Sequence, residues 1–357
     1  MDSSNHPILL TLGVNYRTCP VSIREQFSVA KSQLLRLNQR LLSLSGIEEC
    51  VLLSTCNRTE VYAWSYDVKV AQHALMEHFL GVQAEECAHY FYLHAGEDAL
   101  FHLGAVAAGL DSMVVGETEI FGQLKEAYRN AQEAGTTGHF ANRCFQRSFS
   151  IGKKIRSNSK ITSGPTSVGA AGVQMVSQIN GGLAGQRVLI VGAGDVARTT
   201  AQSLMSRGAE AIFVANRSYD RAVELAQQVG GEVIRFVDWI PYLEQIDIIL
   251  VSTASPAYVI SKHVLADLMP RRQGKPLFIM DMSVPRNVDP ACAEIEGVYL
   301  RDVDALESQA QETRISRQSE IEACEHMLRA WVAENASDLL ESRHHAPELA
   351  KKVLKYT

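Results

Sequence analysis

One stretch narrows the fold of this chain more than any other. Arg187-Val188-Leu189-Ile190-Val191 runs straight into Gly192-Ala193-Gly194-Asp195-Val196-Ala197, and a helix-type pattern continues through Leu204. A buried-type strand, a G-x-G-x-x-A turn and a helix start together specify the nucleotide-binding unit of a Rossmann sheet. Small residues permit the tight turn and let backbone N–H groups approach a pyrophosphate at the helix N-terminus. Gly192, Ala193, Gly194, Asp195, Val196 and Ala197 are therefore cofactor-binding candidates. The next strand, Ala211 to Ala215, ends in Asn216-Arg217-Ser218. An acidic residue there would hold a ribose 2′-hydroxyl, whereas Asn216, Arg217 and Ser218 suit a 2′-phosphate, so the expected cofactor is NADPH. Two more apolar runs, Asp247 to Thr253 and Leu277 to Met280, place their polar ends on the carboxyl edge of such a sheet, where ligands bind.

The first half of the chain has a different grammar. Strand-like Ile8 to Val14 precedes a helix expected to be capped by Ser28, with Leu34, Leu37, Leu41 and Leu44 at helical spacing. Val51-Leu52-Leu53-Ser54 then breaks into Thr55-Cys56-Asn57-Arg58 and returns as Val61-Tyr62-Ala63-Trp64, a strand, a tight polar corner and a strand. A helix near Val70 to Leu80 and a strand near Tyr90 to Leu93 complete the βαββαβ order of a ferredoxin-like fold. Cys56 at that corner is a candidate nucleophile. Arg58, two residues on, is expected to favour its thiolate and bring the pKa below the usual value of about 8.5. Arg58 equally suits a bidentate grip on an anionic substrate. The plain alternative is a small buried packing cysteine.

From Gly96 to Lys160 the pattern is helical. Ala99 to Leu110 is apolar all round and reads as a buried helix, with His102 inside it either as a core residue or as a catalyst. Asp111 to Glu119 interrupts, and Ile120 to Ala134 resumes. Arg143, Arg147, Lys153, Lys154, Arg156 and Lys160 form the one basic cluster, a solvated face or an RNA phosphate contact. Thr162 to Ser167 reads as a linker, and Gln309 to Trp331 as one long charged helix.

Composition narrows the function classes. The 357 residues carry a net charge of −6, so any RNA contact is a local patch rather than a global basic surface. Seven cysteines, an odd number with no C-x-x-C pair, imply free thiols in a reducing compartment and no zinc site. Met1 to Pro7 has no leader pattern, and no uncharged apolar run approaches the roughly 18 residues of a membrane span. A cytoplasmic protein with no metal and no membrane contact is the expectation.

The cysteine corner, the NADP-type Rossmann unit and the trailing helix, in that order, resemble the glutamyl-tRNA reductases of tetrapyrrole synthesis. The most specific pieces are Ser54-Thr55-Cys56-Asn57-Arg58-Thr59-Glu60, Gly109-Leu110-Asp111-Ser112-Met113-Val114-Val115-Gly116-Glu117, Gly122-Gln123, Ser167-Val168-Gly169-Ala170-Ala171 and Gly192-Ala193-Gly194. The resemblance implies an α/β protein: a ferredoxin-like catalytic domain (1–160), a Rossmann NADP-binding domain (161–304), and a helical spine with a shortened dimerisation region (305–357). It implies that Cys56 forms a thioester with the glutamyl group of glutamyl-tRNA(Glu), which NADPH reduces to glutamate 1-semialdehyde. His102 would be catalytic. Thr55, Asn57, Arg58, Ser112, Glu117, Thr118, Glu119 and Gln123 would bind substrate, Glu117 holding its ammonium. A linker near Gly164 would act as a hinge. Glutamate-1-semialdehyde aminomutase and a second copy, through the C-terminal helix, are the implied protein partners. Glu119 stands where the family has Gln, Tyr16 where it has His, and Cys19 where it has Ala. Two other readings compete: a non-catalytic regulatory paralogue binding tetrapyrrole, tRNA or a partner enzyme, and an NADP-dependent dehydrogenase of a small hydroxy acid.

Overall fold

The computed structural model describes residues 6–81, 84–162, 167–209, 211–306, 314–315 and 317–340. The chain divides into two compact units, Met1–Ser163 with Arg314–Thr357, and Gly164–Thr313. Most of the expected linker, residues 163 to 166 with Gly164, lies outside the described residues, as do residues 309–313 and 316 of the expected long helix.

The first unit begins β1 (Ile8–Asn15), α1 (Leu34–Leu42), β2 (Glu49–Ser54), β3 (Arg58–Ser65), α2 (Val68–Leu80) and β4 (Tyr92–Ala95). The strands pair antiparallel in the order β2-β3-β1-β4, the split arrangement of a ferredoxin-like sheet. Ser28 is not a helix cap. It follows a 3₁₀ turn in extended conformation, and the neighbouring Val29 N–H donates to Ser54 Oγ (3.0 Å), which ties this segment to the end of β2. The helix starts only at Leu34 and stops before Leu44. β4 starts at Tyr92 because Ala88–Tyr90 forms a 3₁₀ turn.

β3 is buried along its whole length. Successive side chains point to opposite faces: Val61 and Ala63 join the core under α1 and α2, whereas Tyr62 and Trp64 join a second core on the other face. That second core is built by α3 (Glu97–Ala108), α4 (Glu119–Glu133), α5 (His139–Asn158) and the closing helix Gln318–Leu340. The sequence places that last helix at Gln309 to Trp331; its described part runs nine residues further, and it packs on α3 and α5. α3 is apolar all round because helices meet it on several sides. At Gly152 of α5 a Cβ would lie 2.8 Å from the Ala107 carbonyl carbon and oxygen, so glycine sets how closely the two helices cross.

The second unit holds α6 (Val168–Ile179), β5 (Arg187–Val191), α7 (Asp195–Ser206), β6 (Ala211–Asn216), α8 (Tyr219–Val229), β7 (Glu232–Arg235), β8 (Ile248–Val251), β9 (Leu277–Asp281) and β10 (Val298–Asp302). All six strands are parallel, in the order β10-β9-β8-β5-β6-β7. This is the doubly wound Rossmann order, and the strand order reverses between β5 and β8. Among the described residues no helix is long and apolar enough to cross a membrane.

Candidate active site

Thr55 builds the corner that carries Cys56. Its N–H donates to the Arg58 carbonyl (2.8 Å), and its Oγ1 accepts from the N–H groups of Asn57 and Arg58 (3.2 Å each). Hydroxyl-to-backbone bonds of this kind hold a tight turn. Arg24, 1% exposed, clamps the corner from outside: Nε donates to the Cys56 carbonyl (3.0 Å) and Nη1 to that of Cys19 (2.8 Å). Nothing in the sequence spacing marks Arg24. The Asn57 carbonyl accepts from the Tyr16 N–H (2.9 Å), while its side-chain Oδ1 is buried with no hydrogen-bond partner among the described residues. The Cys56 thiol is half-buried.

The electrostatics of the thiol run against the sequence expectation. Burial, then the carboxylates of Glu117 and Glu119, push Cys56 up to about 12, and Arg24 offsets them only in part. Arg58 does not activate it, because its guanidinium is committed to Glu60 and Asp111. Nη1 donates to Glu60 Oε1 (2.6 Å) and Asp111 Oδ2 (3.0 Å), and Nη2 to the Asp111 carbonyl, leaving the side chain 1% exposed.

Glu60 is the hub of this buried network. It accepts from Arg58, from the hydroxyls of Tyr62 (2.6 Å) and Tyr92, and pairs with His102 Nε2 at 3.0 Å. Burial alone would raise its pKa, yet Arg58, His102 and Tyr62 hold it well below the usual carboxylate range. His102 Nδ1 lies 3.9 Å from Asp111 Oδ2, so the histidine bridges two acids. Ligand atoms of Glu60, His102 and Asp111 all lie within 4.8 Å of one another. The Arg58 guanidinium already supplies the cation between these acids. His94 sits 4.9 Å from the His102 ring, and burial, with His102 beside it, lowers its pKa to about 4. Behind His102 opens a cavity of about 690 Å³ whose walls include Arg17, His94, Asp111, Arg314 and Arg329. The sequence reading assigns no role to Glu60, although its place two residues after Arg58 on one strand face was a usable signal.

Of the other substrate candidates, Ser112 and Glu117 are buried in the segment between α3 and α4, and the Tyr16 hydroxyl donates to the Ser112 carbonyl (3.1 Å). Burial raises Glu117 to about 7, Glu119 adding to the shift and the Ser112 hydroxyl, Arg58 and Arg156 opposing it. No ion pair neutralises Glu117 among the described residues. Glu119 opens α4. Thr118 is exposed and Gln123 half-buried one turn into α4, and no hydrogen bond among the described residues links either to the Cys56 corner.

In the second unit the turn after β5 has the shape the sequence requires. Gly192 has φ +122°, and a Cβ there would fall 1.9 Å from the Ser252 carbonyl oxygen; Gly194 faces open space. Gly194 is the N-cap and Asp195 begins α7, so the first N–H groups of that helix open beside the space that Gly194 leaves free of a side chain. This fits a pyrophosphate. Across the sheet edge, Asn216, Arg217, Phe236, Thr253, Ala254 and Ser255 line a pocket of about 170 Å³. Ser218 lies exposed beside Arg217.

Two family models match successive stretches of the chain. Residues 12–159 match the family described as "Glutamyl-tRNAGlu reductase, N-terminal domain", and residues 174–309 match "Shikimate / quinate 5-dehydrogenase". The glutamyl-tRNA reductase of Akkermansia muciniphila is 50% identical over 323 residues, covering 90% of this chain and 95% of the relative. That of Heliobacterium mobile is 39% identical, covering 84% and 68%. Among solved structures, the glutamyl-tRNA reductase of Methanopyrus kandleri is 34% identical with a TM-score of 0.49, covering 93% of this chain and 80% of its own.

Proposed function

The chain belongs to the glutamyl-tRNA reductase family, and from that premise we propose that it reduces the glutamyl group of glutamyl-tRNA(Glu) to glutamate 1-semialdehyde through a thioester on Cys56, opening tetrapyrrole synthesis. The Cys56 sulfur attacks the ester carbonyl; a C–S bond forms, the ester C–O bond breaks, and the tRNA ribose oxygen leaves with a proton. NADPH, when bound, supplies the hydride that reduces the thioester. Collapse of the hemithioacetal returns the thiolate to Cys56 and frees the aldehyde. Arg58, buried and paired with Glu60 and Asp111, supports the Cys56 corner from the core side. His102 keeps that arginine and Glu60 in register.

The observation that carries this reading is the combination of a half-exposed thiol, the buried Asn57 Oδ1 with no hydrogen-bond partner and the Glu117 carboxyl, which has no ion pair among the described residues, around one corner. Such a site complements an acyl group bearing an ammonium. A cation seated by Glu117 also cancels one of the two carboxylate charges that, after burial, raise Cys56, so substrate arrival favours the thiolate. The exposed Arg147, Lys153, Lys154 and Lys160 of the α5 region are the proposed tRNA phosphate contacts. The aminomutase as receiver of the aldehyde, and a homodimer, complete the proposal.

The test is a single-turnover incubation with glutamate-labelled glutamyl-tRNA without NADPH, acid-trapped and read by mass spectrometry. A Cys56 adduct that disappears when NADPH is added is the expected result. No adduct with tRNA bound would turn the reading to the regulatory paralogue; no adduct and no tRNA binding would turn it to the free-acid dehydrogenase.

A further inference from the structure

The NADP reading rests on Arg217, an exposed side chain at the end of β6, and an exposed arginine has many rotamers. What holds it is on another strand. Arg217 Nη2 donates to Ser255 Oγ at 3.1 Å, and Ser255, 4% exposed, lies in the loop after β8. The Ser255 hydroxyl has its single hydrogen committed to the Ala257 carbonyl (2.9 Å) and accepts from the Ala257 N–H (3.3 Å). Its second lone pair is therefore the one Arg217 uses, and the hydroxyl cannot turn to offer a hydrogen instead. Phe236 flanks the guanidinium from the end of β7, 5.9 Å from its ring centre.

Ser255 is itself fixed. Its N–H donates to Thr253 Oγ1 (3.0 Å), and its carbonyl accepts from Asn287 Nδ2 (2.9 Å). Asn287, fully buried, also takes the Thr253 hydroxyl, and its N–H donates to Asp281 Oδ2 at 2.7 Å. Asp281, at the end of β9, caps Ser283 and Val288 as well. A chain of satisfied buried hydrogen bonds thus runs from the end of β9 to Ser255 and terminates on the guanidinium.

We propose that Ser255 is a specificity-determining positioning residue: it parks Arg217 over the pocket between the ends of β6 and β8 and so sets the preference for a 2′-phosphorylated nicotinamide cofactor. This deepens, and rests on, the NADPH reading above. Ser255 acts on the cofactor only through Arg217. Substitution there changes affinity for the 2′-phosphate and not for the rest of the dinucleotide.

The test uses the full chain and reads NADPH and NADH affinity by fluorescence titration, with 2′,5′-ADP and 5′-AMP as competing probes. S255A is expected to weaken NADPH and 2′,5′-ADP about tenfold and to leave NADH and 5′-AMP unmoved. S255T, which keeps the hydroxyl, is expected to restore NADPH binding, which separates positioning from misfolding. In an R217A background S255A is expected to add nothing. If R217A lowers the NADPH-to-NADH preference and S255A does not, the positioning role is wrong and the NADP reading stands. If R217A itself leaves the preference unchanged, the NADP reading fails first. If S255A weakens NADPH and NADH equally, the residue is merely structural and the proposal is overturned.

Discussion

Glu117→Gln isolates one of the carboxylate charges that face the Cys56 thiol. Cys56 is pushed up to about 12 by burial first and by Glu117 next, so at pH 8 only about one thiol in 10⁴ is ionised, against roughly one in four at the ordinary pKa of about 8.5. A like charge close by shifts a titrating group by about 1–2 units, and each unit is a factor of ten in thiolate. Removing the Glu117 charge should therefore speed alkylation of Cys56 by iodoacetamide at pH 8 about 10- to 100-fold, followed by peptide mass spectrometry. The pH profile supplies the sign. Glu117 titrates at about 7, so it is about 90% charged at pH 8 and about 10% charged at pH 6. The variant-to-parent rate ratio should be large at pH 8 and shrink toward one at pH 6, the reverse of what an opened, misfolded site would give at every pH. A ratio that stays flat between pH 6 and pH 8.5, or falls below one at pH 8, would refute the reasoning. Stability moves in the same sense: an acid whose folded pKa is raised loses stability as pH rises from its unfolded value to about 7, so the amide should gain over the parent above pH 7.

Glu60→Gln leaves Arg58 buried with only Asp111 as counter-charge, and urea unfolding at pH 7 should show a loss of about 3 kcal/mol. Because Glu60 is held below the ordinary range, its contribution is present above the ordinary carboxylate pKa of about 4.3 and is lost only as pH falls below it, so the deficit should persist at pH 5. Gly192→Ala drives a Cβ into the Ser252 carbonyl at 1.9 Å; it should abolish NADPH binding in a fluorescence titration while the Cys56 adduct still forms without cofactor. Leu328→Ala empties a fully buried site against α3 and should cost about 2–5 kcal/mol by thermal unfolding. Gly104→Ala, whose Cβ would meet Leu328 Cδ1 at 2.6 Å, should destabilise the parent but not the Leu328→Ala background.

The second unit was the more legible because its signals are local. A strand, a glycine turn and a helix start occupy eleven consecutive residues, and parallel strands buried on both faces read as plain apolar runs such as Ile248 to Val251. The same locality explains what escaped. Ser255 and Asn287 are 32 residues apart and meet only because β8 and β9 are neighbours, so no spacing rule could pair them with Arg217.

At the first unit the misreading of Arg58 is instructive, because the rule applied was sound and its geometry was not. A spacing of two would bring the guanidinium to the thiol only if both residues sat on one strand, and Cys56 lies in the bend before β3 opens at Arg58. Along β3, Arg58, Glu60, Tyr62 and Trp64 share one face by the period of two. That face is covered by α3, α4 and α5, so the arginine is drawn into a core where only a carboxylate can satisfy it. Its partners then come from far along the chain: Asp111 is 53 residues on, and His102 reaches Glu60 across 42. The thiol is left beside two carboxylates that Arg24 offsets only in part, a polarity opposite to that of a cysteine kept permanently ionised. Under the proposed thioester chemistry that inversion is chemically coherent: an activating cation would arrive with the acyl group, and no reactive thiolate would face solvent beforehand.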